Sequence, residues 1–405
     1  MEFLTGVYLF YILTTMYVSI VGLMVYYRIR DEFMDDPGAE FNKGLSVIVP
    51  AYNEEKTIGA TLQAIIDNGY PKDKLEIIVV NDGSTDGTVD VVKKYKSVIL
   101  LDKPNSGKAD SVNKAIKKSK HEFVAIIDAD SYPQKNALKE IMKYFADEKV
   151  GGVTGAALVK NRNNLLEKCQ AMEYVLIAWT RKSLDAVHSV FVTPGALSAY
   201  RKTALKDIGG GFDTKVMTED IEIAWNLLRH KWKTRMAIRA KVFTSAPSKV
   251  KAWYNQRIRW NVGGFQTLVK HWHLIGKKEY NMFGVFVIPF FISHLVISFT
   301  GFFVFLWVIF SKLYNWFLFS RYSIQQDSAV FDLSEIYLLP SVFTYFALLV
   351  VLLFGLAIYY SFKTFKEAKI KIDFAFFFYA LIYLSVFPIL LIISLYLWKR
   401  GYAKW

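Results

Sequence analysis

The sequence predicts an α/β domain, built on a Rossmann-like, mostly parallel mixed sheet, set between helices that cross a membrane. Apolar runs long enough to span a bilayer lie near both ends of the chain. Between them, short β-branched runs alternate with segments of helical spacing, the pattern of a parallel sheet covered on both faces. Several of those runs end on acidic or amide residues, and sheets of this kind bind ligands beyond the carboxyl ends of their strands.

The composition agrees. The chain has 405 residues, 53% of them hydrophobic and 16% aromatic, with a mean hydropathy of +0.23. That is high for a soluble protein and fits a membrane protein carrying one globular domain. The net charge of +14 suits anionic lipid headgroups or substrate phosphates. No basic run is interleaved with a nucleic-acid reading motif, so nucleic acid is not an expected partner. The single cysteine, Cys169, excludes an intramolecular disulfide and reads as filler.

Residues 1–30 are expected to form the first membrane helix. A cleaved signal peptide would carry basic residues before its apolar run; here Glu2 precedes the run, and Arg28 and Arg30 follow it. Residues 281–405 supply three more expected spans, at about 283–310, 335–360 and 374–397, giving a bundle of about four helices with Pro289, Pro340 and Pro388 inside the last three. The basic loop of Lys363, Lys366, Lys369 and Lys371 belongs in the cytoplasm and the mixed loop 312–332 outside, which places the domain between spans one and two in the cytoplasm. The basic tail Lys399-Arg400 would then fall outside, against the same rule.

Within the domain, 40–250, strands are expected at 45–50, 75–80, 98–101 and 123–127, with helices at 57–68, 89–95 and 109–119. Two amphipathic segments are expected at the membrane surface: 251–280, with Trp and Tyr among basic residues, and 172–187, with Trp179 beside Arg181 and Lys182. His271 and His273 read as polar groups of that interface.

Three signatures carry chemistry. Asp128-Ala129-Asp130 follows a strand, and two carboxylates one residue apart can hold Mg2+ or Mn2+ while leaving positions open for phosphates. Thr218-Glu219-Asp220 offers a carboxylate base, or only favourable charges in the first turn of a helix. Gln256, Arg259 and Trp260 share one helical face, with Arg259 able to grip a diphosphate and Trp260 flat enough for a sugar ring. Asp82 lies in a Gly- and Ser-rich turn, where it either shapes the turn or accepts hydrogen bonds from a nucleoside. Lys108 precedes a helix and serves either solvent or a phosphate. Together these groups read as machinery for moving a sugar off a nucleoside diphosphate.

The chain resembles the membrane-embedded family 2 glycosyltransferases. The resemblance rests on Pro50-Ala51-Tyr52-Asn53-Glu54-Glu55, Val80-Asn81-Asp82-Gly83-Ser84-Thr85-Asp86, Gly107-Lys108, Asp128-Ala129-Asp130, the run from Gly195 to Arg201, Thr218-Glu219-Asp220 and Gln256 through Trp260. It is strongest for processive synthases of β-linked polysaccharides: poly-N-acetylglucosamine, chitin, hyaluronan and cellulose. It implies a GT-A fold, a UDP-sugar donor, a divalent metal, inversion at the anomeric carbon, a polysaccharide or oligosaccharide acceptor, and a multi-pass protein of the plasma membrane. By position, Ala51, Tyr52, Glu54, Asp82, Lys108 and Asp128 would contact the nucleotide, and Asp130 would ligate the metal. Asp220 would be the base, supported by Glu219. Gln256, Arg259 and Trp260 would flank the diphosphate and the acceptor, with Gly195 and Ser198 on the acceptor side. Three departures, an added glycine in Gly209-Gly210-Gly211, no following cyclic-dinucleotide domain and no cellulose-type gating signature, turn the expectation from cellulose toward an aminosugar or hyaluronan-like polymer, with UDP-N-acetylglucosamine or a related donor. The rival readings are a non-processive transferase making a glycolipid, and a channel or scaffold with a degenerate nucleotide-binding domain.

Overall fold

The computed structural model describes residues 2–30, 33–34, 37–38, 40–325 and 342–401. Chain order begins with helix α1 (Glu2–Ile29), strand β1 (Leu45–Ala51), α2 (Ile58–Ile66), β2 (Leu75–Asp82), α3 (Thr88–Lys93), β3 (Val98–Lys103), α4 (Lys108–Lys118) and β4 (Phe123–Ile126). There follow β5 (Ser131–Pro133), α5 (Ala137–Met142), β6 (Val150–Val159), α6 (Leu165–Asp185), β7 (Ser198–Arg201), α7 (Lys202–Asp207), α8 (Glu219–Arg229) and β8 (Lys233–Thr244). The chain continues through α9 (Val250–Lys270), α10 (Ile288–Gln325), α11 (Val342–Thr364), α12 (Phe374–Phe378) and α13 (Phe387–Lys399).

The eight strands form one sheet in the order β3-β2-β1-β4-β7-β6-β8-β5. The first four are parallel, as their continuous apolar runs require. β7 then runs antiparallel to both β4 and β6, β6 and β8 are parallel, and β5 closes the edge antiparallel to β8. All seven residues of β1 are buried because helices cover both faces. On one side Val47, Val49 and Val79 meet Ile58 and Leu62 of α2 and Leu138 and Ile141 of α5. On the other, Ile48, Ile78 and Val124 meet Val112 and Ile116 of α4 and Ile223 and Leu227 of α8.

The expected strands and helices of 45–119 all form. The amphipathic reading of 172–187 does not hold. It lies within α6, which is wedged between the sheet (Leu158, Met236, Ile238) and the apolar helices α1 and α11, through Val175, Ala178 and Trp179. Its charged residues are buried too: Glu173, Arg181, Lys182 and Asp185 are each at most 9% exposed. Lys182 and Arg235 bracket Asp185, so the polar stripe faces protein rather than lipid headgroups.

Among the described residues three runs are long and apolar enough to cross a membrane, Leu9–Ile29, Phe283–Gln325 and Phe374–Lys399, and a shorter apolar stretch, Leu348–Thr364, belongs to α11. Where a span is expected at 335–360, a helix is observed from Val342 to Thr364; residues 335–341, with Pro340, lie outside the described residues. The loop expected at 312–332 is corrected over 312–325, which continue α10. Two charges, Lys312 and Arg321, do not end a helix when no Gly or Pro stands between Lys312 and Gln325. Residues 326–332 lie outside the described part. Pro289 and Pro388 each stand just after a break in the regular helix. A π turn, Phe283–Val287, precedes Pro289; a π turn, Tyr379–Tyr383, and a 3-10 turn, Leu384–Val386, precede Pro388. Proline has no N–H and crowds the carbonyl four residues back, so the ladder rearranges there.

Candidate active site

Local hydrogen bonding builds the first wall of the site at the ends of β1 and β2. Asn53 adopts a left-handed conformation (φ 56°). Its side chain accepts from the Thr85 N–H at 2.8 Å, and its own N–H donates to Ser84 Oγ at 2.9 Å. The Glu54 N–H donates to Thr88 Oγ1 at 2.8 Å and the Glu55 N–H to Asp86 at 3.1 Å. Asp82 ties in the third loop: its carboxylate accepts the Ser106 and Gly107 N–H groups, each at 2.9 Å, and pairs with Lys103. Its oxygens are thus engaged by protein, which favours the turn-shaping reading of this residue. Gly83 (φ 74°) allows the closure, since a Cβ there would press on the Asn105 backbone.

The carboxylates stand on the floor. Asp128 leaves β4 and donates its N–H to the Gly195 carbonyl at 2.9 Å. Its side chain meets Lys108 Nζ at 2.5 Å, and the same Nζ lies 3.3 Å from Glu219. Burial alone would lower the Lys108 pKa, but the two carboxylates outweigh it and hold the ammonium charged. A Cβ on Gly195 would run into both Lys108 and Asp128, so this glycine sits beneath that pair. Asp130 makes only long contacts to Ser131 and Thr244, at 3.3 and 3.4 Å. Burial, then Asp128 and Glu54, push its carboxyl up to about 6. Glu54 is raised as well, chiefly by burial. A carboxylate so poorly compensated by hydrogen bonds as Asp130, with Asp128 and Glu54 beside it, suits a divalent cation with hard oxygen ligands. Among the described residues no group of three His, Cys, Asp or Glu forms a closed metal cage. Mg2+ and Mn2+ sites that take one or two carboxylates and complete their shell with phosphates need none.

Asp220 opens α8, half-buried across from the same lysine. Its backbone carbonyl is fixed by Thr193 N–H and Oγ1, at 3.2 and 3.1 Å. Burial and then Glu219 raise its carboxyl to about 6, against the pull of Lys108 and Arg259. Arg181, on α6, faces Asp220 and Tyr174. It is nine-tenths buried and makes no hydrogen bond or ion pair among the described residues. No pattern in the sequence marks it as a site residue, because its helix reads as a surface element.

The third wall is α9. Trp260 lies against Tyr174 (6.3 Å between ring centroids), with the Arg257 guanidinium 4.1 Å above its ring. Gln256 accepts from Arg257 at 2.7 Å. Arg257 itself is 2% exposed and pairs with Glu173 of α6 at 2.5 Å. Gly263 lets α9 approach α8, since a Cβ there would strike Thr218 beside the Glu219-Asp220 pair. The helix expected over 251–280 is shorter: α9 ends at Lys270 and is covered by protein on two sides. Trp253, Ile258 and Val262 pack with Tyr379, Tyr383 and Leu390 of the last apolar run, and Phe265 stacks on Trp398. His271 is fully buried with Trp225, 3.5 Å from Glu222, so it is not an interface group.

The structure thus gathers Glu54, Lys108, Asp128, Asp130, Glu219, Asp220 and Arg259 around one cleft, with Gln256 and Trp260 on its α9 side. Ala51 is buried in β1 and Tyr52 is exposed at the rim. Gly195 sits under Lys108 and Asp128 rather than on a separate acceptor wall. Ser198 is 1% exposed within β7 and does not front the cleft. A cavity of about 900 Å3 between the starts of β6 and β8 and the turn at Asn281 contains none of these residues.

Residues 42–263 match the family described as glycosyltransferase like family 2. The chain belongs to this family. The match begins just before β1 and ends three residues past Trp260, so it holds every residue of the cleft. This glycosyltransferase is 30% identical over 287 residues to a poly-β-1,6-N-acetyl-D-glucosamine synthase of Staphylococcus epidermidis, covering 68% of this chain and 69% of the relative. It is also 30% identical over 262 residues to the synthase of the same name from Staphylococcus aureus, covering 62% and 63%. A mannosyltransferase of Pyrobaculum calidifontis, solved with GDP-mannose and Mn2+, shares its fold over 98% of this chain and 99% of that one, with a TM-score of 0.62 at 20% identity. The mixed sheet is therefore of the GT-A type, and the apolar helices fall within the shared architecture.

Proposed function

We propose that the protein is an inverting, metal-dependent synthase that transfers N-acetylglucosamine from its UDP derivative to a growing β-linked polysaccharide at a membrane. The observation that carries this reading is the placement of Asp220. A carboxylate that accepts the Ile221 N–H at 2.9 Å, has no ion pair among the described residues and has its pKa raised to about 6 stands across from the lysine that joins Asp128 to Glu219. Such a group is tuned to remove a proton near neutral pH. The donor and product follow from the named synthases that align with two thirds of the chain.

In this reading the loops at Asn53 and Asp82 form the nucleoside wall, with Tyr52 at its rim. Asp130, with Asp128 beside it, would hold Mg2+ or Mn2+, which when bound neutralises charge on the departing diphosphate. Lys108 and Arg259 add positive charge to the same group. The acceptor sugar lies on Trp260 and presents its hydroxyl to Asp220. Asp220 Oδ takes the proton as the hydroxyl oxygen attacks the anomeric carbon from the face opposite the UDP, which inverts the configuration. Glu219 keeps Lys108 in place. A platform that holds the acceptor end through successive transfers serves a processive enzyme, and in this reading the protein is a multi-pass protein of the plasma membrane with its domain in the cytoplasm, which the long apolar helices support.

The test is incubation of the purified full chain with radiolabelled UDP-N-acetylglucosamine and Mn2+ or Mg2+, with mass analysis of the products. A polymer ladder is expected. Short, lipid-extractable products alone would overturn the processive reading, and no UDP release from any donor would overturn the enzyme itself.

A further inference from the structure

Four polar side chains from three distant parts of the chain meet in the apolar ground between the cleft and the last apolar run. Glu173 of α6 accepts from Arg257 of α9 at 2.5 Å and from the Tyr383 hydroxyl at 2.7 Å. The Tyr383 hydroxyl in turn accepts from Trp253 Nε1 of α9 at 2.8 Å. All four are buried: Arg257 is 2% exposed, Tyr383 3%, and Glu173 and Trp253 6% each. Tyr383 is the last residue of the π turn Tyr379–Tyr383. A single wide turn in a helix turns the side chains that follow it, and such turns gather at functional sites.

Arg257 has two further contacts. Its other nitrogen donates to Gln256, and its plane lies over Trp260. The residue between the members of the Gln-x-x-Arg-Trp face therefore points away from the cleft while touching two of them. A buried ion pair is a costly way to fill space, and an apolar pair would pack this ground as well. What charge adds is direction: the guanidinium is held in one plane by Glu173, and that plane sets Gln256 and the Trp260 ring.

We infer that Glu173, Arg257 and Tyr383 are positioning residues: a buried clamp that fixes the acceptor platform of Gln256 and Trp260 against the π turn of the last apolar helix. This rests on the proposal that α9 holds the acceptor sugar. None of the three touches donor or acceptor. Their action is on the geometry of the acceptor end, so it spares the nucleoside wall, which is built from other elements.

The experiment uses the full chain in lipid nanodiscs with the variants Tyr383→Phe, Glu173→Gln and Arg257→Lys. The readouts are KM for UDP-N-acetylglucosamine, KM for an N-acetylglucosamine oligosaccharide acceptor, kcat and product length. Tyr383→Phe removes one hydroxyl and is the variant expected to fold in every case. The expected result is an acceptor KM raised about tenfold and shorter products, with the donor KM within about twofold of the unaltered enzyme. Glu173→Gln shows a larger acceptor effect of the same kind, and Arg257→Lys does not rescue, because an ammonium cannot present a plane to the ring. Equal losses in donor and acceptor KM, or full activity in Tyr383→Phe, overturn the clamp. If the unaltered enzyme adds only one sugar, the polymer reading falls while the split between the two KM values still decides the clamp.

Discussion

The two walls that the proposal assigns to the nucleoside and to the acceptor are made in different ways. The nucleoside wall is stitched by short-range logic: Asn53, Asp82 and Asp86 accept backbone N–H groups from loops at neighbouring strand ends, and all of it lies within the first 110 residues. The acceptor wall is assembled from α6, α8, α9 and the last apolar run, whose contacting residues are as far apart as Glu173 and Tyr383. Its buried polar groups are side chains that hold one another, as Arg257 and Tyr383 hold Glu173. Loop-built walls tolerate loss of one hydrogen bond at modest cost. A buried charge left without its partner is far more damaging.

That contrast can be broken at several points. The largest effect is expected from Asp220→Asn on the acceptor wall. Transfer should fall about a thousandfold, the scale of a positioned general base, while the donor still binds in a calorimetric titration. Loss of donor binding in this variant would contradict the base role. The same group sets the pH dependence. Its carboxyl is raised to about 6, so the proton-accepting form grows as pH rises, and kcat/KM should fall below about pH 6. The Asn variant's residual activity should lack that limb. The sign for stability is opposite. A carboxyl whose pKa is raised from 3.8 to about 6 on folding contributes most below pH 4, and that contribution is lost as pH passes 6. At pH 7 Asp220→Asn should therefore be more stable by about 3 kcal/mol, read as a rise in melting temperature.

Asp130→Ala should come next. It removes the carboxylate that has only long hydrogen-bond contacts, and Mn2+ should no longer tighten donor binding. An undiminished Mn2+ effect would count against the ligand role. Gly263→Ala tests the junction of the walls. Its methyl group meets Thr218 at the start of α8, and overpacking of this kind costs about 1–3 kcal/mol; chemical denaturation gives the stability and acceptor kinetics the displacement of Asp220. The smallest effect is expected on the nucleoside wall. Asp82→Asn leaves one of two backbone N–H groups without its acceptor, a loss of about 1–2 kcal/mol, while Lys103 keeps a second carboxylate, Asp110, at 3.5 Å. Donor KM should rise roughly tenfold with kcat nearly unchanged. A collapse of kcat instead would show that the two walls are one unit.

Much of the first wall was legible in the sequence. The strands at 45–51 and 75–82 declare themselves by β-branched runs, and the residues that end them have no choice but to face the crevice. The Asp128 to Asp130 pair, the Glu219-Asp220 pair and the shared face of Gln256, Arg259 and Trp260 were also plain, since each depends on spacing alone. The readings of α6 and His271 went astray for one reason. An aromatic and basic helix has the same pattern whether its partner is a lipid headgroup or a buried glutamate, and Trp179, Lys182, Trp253 and His271 all found protein. Arg181 left no trace in the sequence, because a lone arginine in a helix gains meaning only from what surrounds it.

By itself, then, the sequence determined the parallel half of the sheet, the apolar runs and which carboxylates stand at strand and helix ends, since periodicity and turn chemistry act over a few residues. Only the tertiary structure decided that β7 reverses the sheet's direction, that Asp82 is spent on its own loops and that Asp130 and Asp220 are raised to about 6. It also decided that Arg257 turns inward to Glu173 and Tyr383. Those outcomes depend on burial and on charges brought together across up to 210 residues of chain, and neither is a property of any local stretch.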